Sequence, residues 1–251
     1  MKNIILLINI KNPNRPGRDQ MYNLSIESWK NWAEKNNSEV VVLEEPVVPI
    51  SEMTPIVQRH YVFGLLDNSE IEYDQILMID ADTIVHPDCP NFFELTDHRF
   101  CAVHNDGDYD WLCRSVENYE YEFFGTDKVD QKWIWNYFNT GFMITNKNFK
   151  FLHERVLKFY WDNQQKVQSM QQKYGVGTDQ PLINMIIRHS DDVKVKLLPY
   201  QFNMQDLGRK NILDERMIFT NIPGVYHFNA VEGGPEKVNY WMKRSFNHFY
   251  K

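Results

Sequence analysis

The stretch Gln75-Ile76-Leu77-Met78-Ile79-Asp80-Ala81-Asp82 places two acidic residues directly after a run of apolar ones. A short continuous apolar run predicts a strand that is buried on both faces, as in a parallel sheet. Residues i and i+2 of extended backbone point to one side, about 7 Å apart at a rise of about 3.3 Å per residue. Asp80 and Asp82 could therefore share a divalent cation with a phosphate ligand at the carboxyl end of the strand, where open sheets bind ligands. The alternative is that the two acids only cap the next helix.

Predicted strands and helices alternate on both sides of this stretch. Apolar runs predict further strands near residues 4–8, 40–43, 100–103, 142–144, 193–198 and 225–228. Apolar residues at helical spacing predict helices near residues 21–35, 57–66, 92–95 and 148–172, and from residues 180 and 235 onward. This alternation predicts an α/β fold with a central, mainly parallel sheet flanked by helices. Because no linker or internal repeat interrupts the pattern, we expect residues 1–251 to form one domain.

The composition excludes several classes of protein. The 251 residues are 43% hydrophobic and 24% charged, which is typical of a globular protein and not of a disordered or fibrous one. The formal charge of −7 argues against a nucleic-acid binder with a basic face. Cys89, Cys101 and Cys113 form no CxxC pair, so neither a zinc ribbon nor a disulfide framework is indicated. A reducing, cytoplasmic location fits best.

The two ends of the chain raise the question of a membrane. The apolar run Ile4–Ile8 faintly resembles a signal peptide, but it is too short and no small-residue cleavage site follows it. No run reaches the roughly 18 apolar residues that span a bilayer, so we expect no transmembrane segment. Residues 240–251 mix aromatic and basic side chains, which favours a helix docked on the domain over a weak contact with an anionic membrane surface.

A histidine far downstream is a candidate third metal ligand. His227 lies toward the end of the strand predicted near residues 225–228. It precedes the glycine pair Gly233-Gly234, whose backbone could approach a phosphate. Two carboxylates and one imidazole suit Mn²⁺, with Mg²⁺ as the other option, and leave open coordination positions. A buried structural histidine is the simpler interpretation of His227 taken alone.

The segment Tyr109–Phe138 is unusually aromatic, because ten of its thirty residues are Phe, Trp or Tyr. Aromatic faces pack against the CH faces of sugars while their polar edges form hydrogen bonds. An insertion that buries these aromatic rings in the core is an equally good interpretation of the same residues.

The segment Ile76–Val85 resembles the metal-binding segment of GT-A glycosyltransferases, and it looks most like that of glycosyltransferase family 8, the group of glycogenin and the lipopolysaccharide galactosyltransferases. Further segments resemble that family in the family's order, over about residues 1–240: Arg59, Phe138–Ile144, Gly177–Asn184, Leu198–Asn203 and His227. The resemblance implies a Rossmann-like GT-A fold with an approximate nucleotide-binding half at 1–106. It also implies an acceptor-binding half with the C-terminal helix at 107–251.

The resemblance also implies an activity: metal-dependent transfer of a hexose, with glucose or galactose as a guess, from a UDP-sugar to a saccharide or other hydroxyl acceptor. It implies retention of the anomeric configuration. A metal bridging both phosphates would stabilise the UDP leaving group, with help from a basic side chain. Because Gln180 is not an acid, attack by the acceptor on the front side of the sugar is the more natural mechanism.

Site residues are carried over by the same resemblance. Asp80, Asp82 and His227 would bind the metal, and Gln180 and Asp179 would be the catalytic candidates at the sugar. The substrate-binding candidates are Asn9 near the base, Arg59, Asp80 near the ribose, Ala81, Asn105 or Asp106 at the donor sugar, Asn139, Gly233 and Lys237. The tail departs from the family pattern through the insertion Val231–Pro235. Lys237 is therefore a doubtful cation for the leaving phosphate, and Lys243 or Arg244 could replace it.

Three other functions compete with transfer. A haloacid-dehalogenase-like phosphatase also begins with an apolar strand and DxD, but here it would need Asp191-Asp192 as its second acidic pair, and no apolar strand precedes that pair. A sugar nucleotidyltransferase would need a Gly-rich, Arg-containing loop after the first strand, and residues 12–18 contain one glycine. A binding protein that has lost turnover would still carry the intact set of metal ligands.

Overall fold

The protein is described by a computed structural model over residues 1–12, 16–126 and 129–251. Within these ranges the strands are β1 Lys2–Ile8, β2 Ser38–Leu43, β3 Tyr73–Ile79, β4 Thr83–Val85, β5 Cys101–His104, β6 Phe138–Asn146, β7 Lys196–Leu198 and β8 Val225–His227. The α-helices are α1 Tyr22–Lys35, α2 Val62–Asn68, α3 Tyr109–Phe124, α4 Lys150–Asp162, α5 Gln164–Tyr174, α6 Asp179–Arg188 and α7 Gly234–Tyr250. None of the helices in these ranges is long and apolar enough to cross a membrane.

Six strands form the central sheet, in the order β2-β1-β3-β6-β5-β7. The pairs β1–β2, β1–β3 and β5–β7 are parallel, whereas β6 runs antiparallel to both β3 and β5. The prediction of a mainly parallel sheet flanked by helices is confirmed. The two remaining strands, β4 and β8, form a separate antiparallel ribbon.

The decisive strand β3 is buried on both faces, as its apolar run predicts. Ile76 and Met78 join one hydrophobic cluster, which also contains residues of α2, α4 and α6. Leu77 and Ile79 join the opposite cluster, which contains Trp29 and other residues of α1. Because successive side chains of a strand point to opposite faces, one continuous apolar run serves both helical layers.

The predicted single helix at 148–172 is wrong in one respect, because Asn163 divides it into α4 and α5. The backbone of Asn163 leaves the helical region at φ −130°, ψ 21°. Its backbone N–H and its side-chain Nδ2 both donate to the carbonyl of Phe159, at 3.1 and 3.0 Å. Asparagine side chains compete with the helix for backbone partners in this way, so the chain starts a new helix at Gln164.

Two further predictions changed in detail. The strand expected at 193–198 is limited to β7, and the helix expected at 57–66 begins as a 3₁₀ turn at Val57–Tyr61 before α2. The aromatic segment Tyr109–Phe138 fits both earlier interpretations in part. Tyr119 and Tyr137 are buried in the protein, whereas Trp135 is 64% exposed and could contact a ligand. The C-terminal residues form α7, whose buried face includes Trp241, Met242 and Phe246.

A buried histidine pair packs between the 3₁₀ turn and α4. His60 Nδ1 lies 2.8 Å from His153 Nδ1, and His153 Nε2 lies 3.2 Å from Thr145 Oγ1. Burial lowers the pKa of His153 to about 3. Burial, and then the neighbouring His153 and Arg59, lower the pKa of His60 well below its ordinary value. Both imidazoles are therefore neutral in the folded chain at neutral pH.

We expect this pair to make the fold sensitive to acid. An unfolded histidine titrates near 6.5, so the unfolded chain binds more protons than the folded one below that pH. The free energy of unfolding should then fall by about 2 kcal/mol per histidine between pH 6.5 and 5. Urea unfolding at pH 7.5, 6 and 5 measures this loss, and His153→Gln, which cannot titrate, should reduce it. Equal acid sensitivity in both proteins would show that other groups cause it.

Candidate functional site

The β4–β8 ribbon joins the acidic pair to the distant histidine. Thr83 pairs with His227 in the ribbon, and the N–H of Phe228 donates to the carbonyl of Asp82 at 2.9 Å. Thr83 Oγ1 also donates to the carbonyl of Asp80 at 2.7 Å, which fixes the turn between β3 and β4. His227 Nε2 consequently lies 3.2 Å from Asp82 Oδ1 and 3.6 Å from Asp80 Oδ2.

These three side chains fit a divalent cation. One potential ligand atom from each of Asp80, Asp82 and His227 lies within 4.8 Å of the others. His227 Nδ1 lies 2.9 Å from Asn203 Oδ1 and can donate to it, which leaves the Nε2 lone pair for a metal. His227 Nε2 is buried and points at the two carboxylates, and among the described residues it makes no hydrogen bond of regular geometry, as expected of an atom placed to bind a ligand. The set of donors, two carboxylates and one imidazole, suits Mn²⁺ or Mg²⁺.

The charges around this group are strongly coupled. Burial alone would raise the pKa of the Asp82 carboxyl, but His227 and Arg18 outweigh burial and hold that pKa well below its usual range. Burial acts to lower the pKa of His227, and the attraction of Asp82 and then Asp80 raises it instead. Arg59, which is 1% exposed, donates to Asp80 Oδ1 and to the carbonyl of Thr140. Each carboxylate of the acidic pair therefore has a cation of the protein beside it, Arg59 at Asp80 and Arg18 at Asp82.

A buried network of amides connects the acidic group to the start of α6. Asn203 Nδ2 donates to Asn139 Oδ1 at 3.0 Å, and Asn139 Nδ2 donates to Gln180 Oε1 at 3.0 Å. Gln180 Oε1 also accepts from the N–H of Thr140 at 3.2 Å. Asn105 Oδ1 lies 3.4 Å from Asn139 Nδ2. The structure thus brings Asn105, Asn139 and Gln180 together, and the same network holds the imidazole of His227.

Asp179 is held beside this network by Thr140. Thr140 Oγ1 donates to Asp179 Oδ2 at 2.8 Å. Burial raises the pKa of the Asp179 carboxyl, even though the cation of Arg59 acts in the opposite direction. Asp179 is therefore an acid in a polar but enclosed position, next to Gln180 at the N-terminus of α6.

Other predicted site residues have different partners. Asn9 Nδ2 lies 3.5 Å from Glu44 Oε1, at the end of β1. Asp106 forms an ion pair with Lys210 at 2.8 Å, so of the two alternatives Asn105 is the one that contacts the amide network. Gly233 directly precedes α7. Lys237 is exposed in the first turn of that helix, and its Nζ lies 5.6 Å from the centre of the Tyr240 ring.

A cleft opens beside the acidic pair at the carboxyl ends of β1 and β3. Asp80, Ala81 and Asp82 form one wall, while Ile8, Ile10, Pro55 and Ile56 contribute apolar surface. Arg18 and Tyr22 also face this cleft, and neither was predicted from the sequence. Arg18 follows a stretch rich in turn residues, and the spacing of the arginines there matches no known binding motif. An apolar pocket that ends in charged groups suits a ligand with a ring at one end and phosphates at the other.

Two solved structures share the fold. A glycosyltransferase involved in the glycosylation of the major capsid of PBCV-1 is 12% identical, with a TM-score of 0.59 over 97% of this chain and all of that one. The apo structure of the bifunctional glycosyltransferase WbbM is 15% identical, with a TM-score of 0.51; the match covers this chain completely and 50% of that one. At such identities these similarities establish the fold alone. A search of curated proteins finds no matching sequence.

The family model described as glycosyl transferase family 8 matches residues 57–235, which is more than half of the chain. The matched region includes the acidic pair, the amide network and His227. Enzymes of this family generally depend on a divalent metal, and the group of two carboxylates and one imidazole is consistent with that requirement. The chain is a glycosyltransferase with a GT-A fold, and it belongs to glycosyl transferase family 8.

Proposed function

We propose that this protein transfers a hexose, glucose or galactose, from a UDP-sugar to a saccharide with retention of the anomeric configuration, and that it uses Mn²⁺ or Mg²⁺. The observation that carries the proposal is the Asp80–Asp82–His227 group, in which Asp82 and His227 are buried and Asp80 is partly exposed at the edge of the cleft. The apolar wall of the cleft at Ile8 and Ile10 suits the base, and the charged end suits the diphosphate. This assignment places Asn9 near the base at the end of β1.

The protein's own residues would prepare this site for the donor. The bound metal would neutralise the charge that develops on the departing diphosphate. Arg59 holds Asp80 in place, and Asn203 holds the tautomer of His227 that leaves Nε2 free. Gly233 and Lys237, at the start of α7, are placed at the phosphates by the family resemblance alone.

The sugar would lie between the acidic pair and the start of α6. Gln180, Asn139 and Asn105 form the polar surface there, and Asp179 is engaged with Thr140. An amide at position 180 cannot form a covalent glycosyl ester, which favours attack by the acceptor on the front side. The bond from the anomeric carbon to the phosphate oxygen breaks with its electron pair on that oxygen. The acceptor oxygen bonds to the same carbon, and its proton passes to the departing phosphate.

Nucleotide release from a panel of sugar nucleotides tests the proposal. The panel contains uridine, guanosine and cytidine diphosphate sugars, each with Mn²⁺, with Mg²⁺ and with chelator. We expect metal-dependent release of UDP from UDP-glucose or UDP-galactose, and an α-linked product by NMR once an acceptor is found. Binding of UDP without release from any donor would support a binding protein without turnover. Release from a guanosine or cytidine donor alone would contradict the proposed donor.

An exposed aromatic cluster supports a saccharide acceptor. The cluster consists of His104, Tyr109 and Trp135, with ring centres 5.5 to 6.3 Å apart. Asn105, the residue after His104, contacts the amide network that would face the donor sugar. A pyranose ring packs its CH face against such rings. The cluster therefore offers an acceptor site that continues directly from the donor site.

We expect Trp135→Ala to weaken acceptor use about fivefold, through the loss of an aromatic contact of roughly 1 kcal/mol. Transfer is measured with methyl and p-nitrophenyl glycosides, and hydrolysis of the donor without acceptor should stay unchanged. Trp161→Ala is the control. Trp161 is also partly exposed, but it lies near the end of α4 and donates a hydrogen bond to Tyr61, outside the aromatic cluster. Equal acceptor-dependent rates in Trp135→Ala and the wild type would remove the cluster from the acceptor site.

The phosphatase alternative receives no support from the placement of its second acidic pair. Asp191 and Asp192 are exposed, and Asp192 forms an ion pair with Arg155 at 2.8 Å. The pair therefore has partners of its own at the surface, after the end of α6.

A further inference from the structure

The loop after β1 brings one arginine into contact with the acidic group. Arg18 Nη2 lies 3.0 Å from Asp82 Oδ2. The Asp82 side chain is 4% exposed, whereas the Arg18 side chain is 37% exposed. Arg18 also lines the cleft beside Asp80 and Ala81. The guanidinium therefore contacts a candidate metal ligand and is hydrogen-bonded to Tyr22, which also lines the cleft, while the side chain as a whole stays partly exposed there.

The cations suggested by the sequence are placed differently. Lys237 and Lys243 are exposed on α7. Arg244, on the same helix, forms an ion pair with Glu215 at 2.8 Å. Arg59 is fully buried and bonded to Asp80 and to a backbone carbonyl. Of these cations and Arg18, only Arg18 combines contact with the acidic group and access to the cleft.

The loop that carries Arg18 is anchored to α7. Asn239 Nδ2 donates to the carbonyl of Gly17 at 2.7 Å and lies 3.3 Å from Gln20 Oε1. Asn239 itself is 8% exposed. Arg18 is thus fixed between two anchored neighbours, which reduces the entropy lost when it binds a ligand.

We propose that Arg18 binds the diphosphate of the nucleotide donor and stabilises the leaving group. A guanidinium presents five donors in a planar fork that matches phosphate oxygens. In the chain without ligands it balances the charge of Asp82. With the donor bound, its remaining N–H groups lie on the phosphate side of the acidic pair. This inference rests on the proposed function, because it assumes a nucleoside diphosphate in the cleft.

Calorimetric titration with UDP, UMP and uridine tests the proposal in the presence of Mn²⁺. We expect Arg18→Ala to weaken UDP binding at least tenfold, UMP binding less and uridine binding not at all, and Arg18→Lys to restore part of the loss. Mn²⁺ affinity without nucleotide is measured separately and should not fall. Arg155→Ala is the matched control, because Arg155 also pairs with an aspartate and its side chain is 41% exposed.

The possible outcomes separate this proposal from the proposed function. Equal losses for UDP and uridine, or no loss at all, would overturn the role of Arg18 and leave the transferase assignment intact. A reduced Mn²⁺ affinity that accounts for the whole loss would overturn it as well, since Arg18 would then act on the metal ligand. A wild-type protein that binds no UDP would overturn the proposed donor and the role of Arg18 together.

Discussion

Asp82→Asn should remove metal binding and turnover while leaving the fold in place. The substitution conserves shape but replaces the carboxylate of a proposed metal ligand, which lies 3.2 Å from His227. Loss of a residue that only holds a metal ligand in place costs about 10- to 100-fold in metal affinity, so loss of a direct ligand should cost at least about 100-fold. The metal supplies several kcal/mol of leaving-group stabilisation, and the rate of nucleotide release should therefore fall about a thousandfold.

Mn²⁺ titration followed by release of UDP from its sugar measures both effects. The variant also leaves Arg18 without its anion and removes one of the two carboxylates beside His227, so a thermal melt must show that it is folded before the rates are compared. Asp88→Asn is the control, because Asp88 is an exposed aspartate beyond the β4 strand. Full activity in Asp82→Asn would contradict the metal site, and activity that survives chelator in the wild type would contradict metal dependence.

The elements that carry the site could be predicted because each has a local signal. The strand β3 is an uninterrupted apolar run, and the two acids follow it directly. The strand before His227 is similarly apolar. The pairing of β4 with β8 joins residues 140 or more positions apart, and no local pattern records such a contact. The resemblance to the family supplied that link, and the ribbon provides its physical basis.

The residues that sequence reasoning missed act through contacts that are distant in the chain. Arg18 contacts Asp82 across 64 positions, and Asn203 contacts His227 across 24. An arginine in a loop and an asparagine after a strand are common residues without a characteristic spacing. Similarly, nothing in the sequence marks His60 and His153 as a buried pair. Burial and partners decide the role of these side chains, and both emerge only when the sheet assembles.

The glycine of the segment Phe138–Ile144 has a structural reason that its motif does not reveal. A Cβ atom added to Gly141 would lie 2.3 Å from His227 Cε1 and 2.7 Å from Asn139 Oδ1. The imidazole of His227 therefore packs directly on the backbone of β6. The N–H of Gly141 also donates to Asn139 Oδ1 at 2.9 Å. One residue without a side chain thus makes room for the candidate metal ligand His227 and for the amide network.

Gly141→Ala should consequently disable the site without contacting any ligand. Both neighbours are buried, so the imidazole must move and its hydrogen bond to Asn203 must change. We expect a loss of about 10- to 100-fold in Mn²⁺ affinity, the range found when a residue that positions a metal ligand is changed, and a matching loss in UDP release. Gly64→Ala in α2 is the control, because its added Cβ meets no atom within 4 Å and alanine favours the helix by about 1 kcal/mol. Unchanged Mn²⁺ affinity in Gly141→Ala would mean that His227 can shift without loss, which would exclude it as a metal ligand.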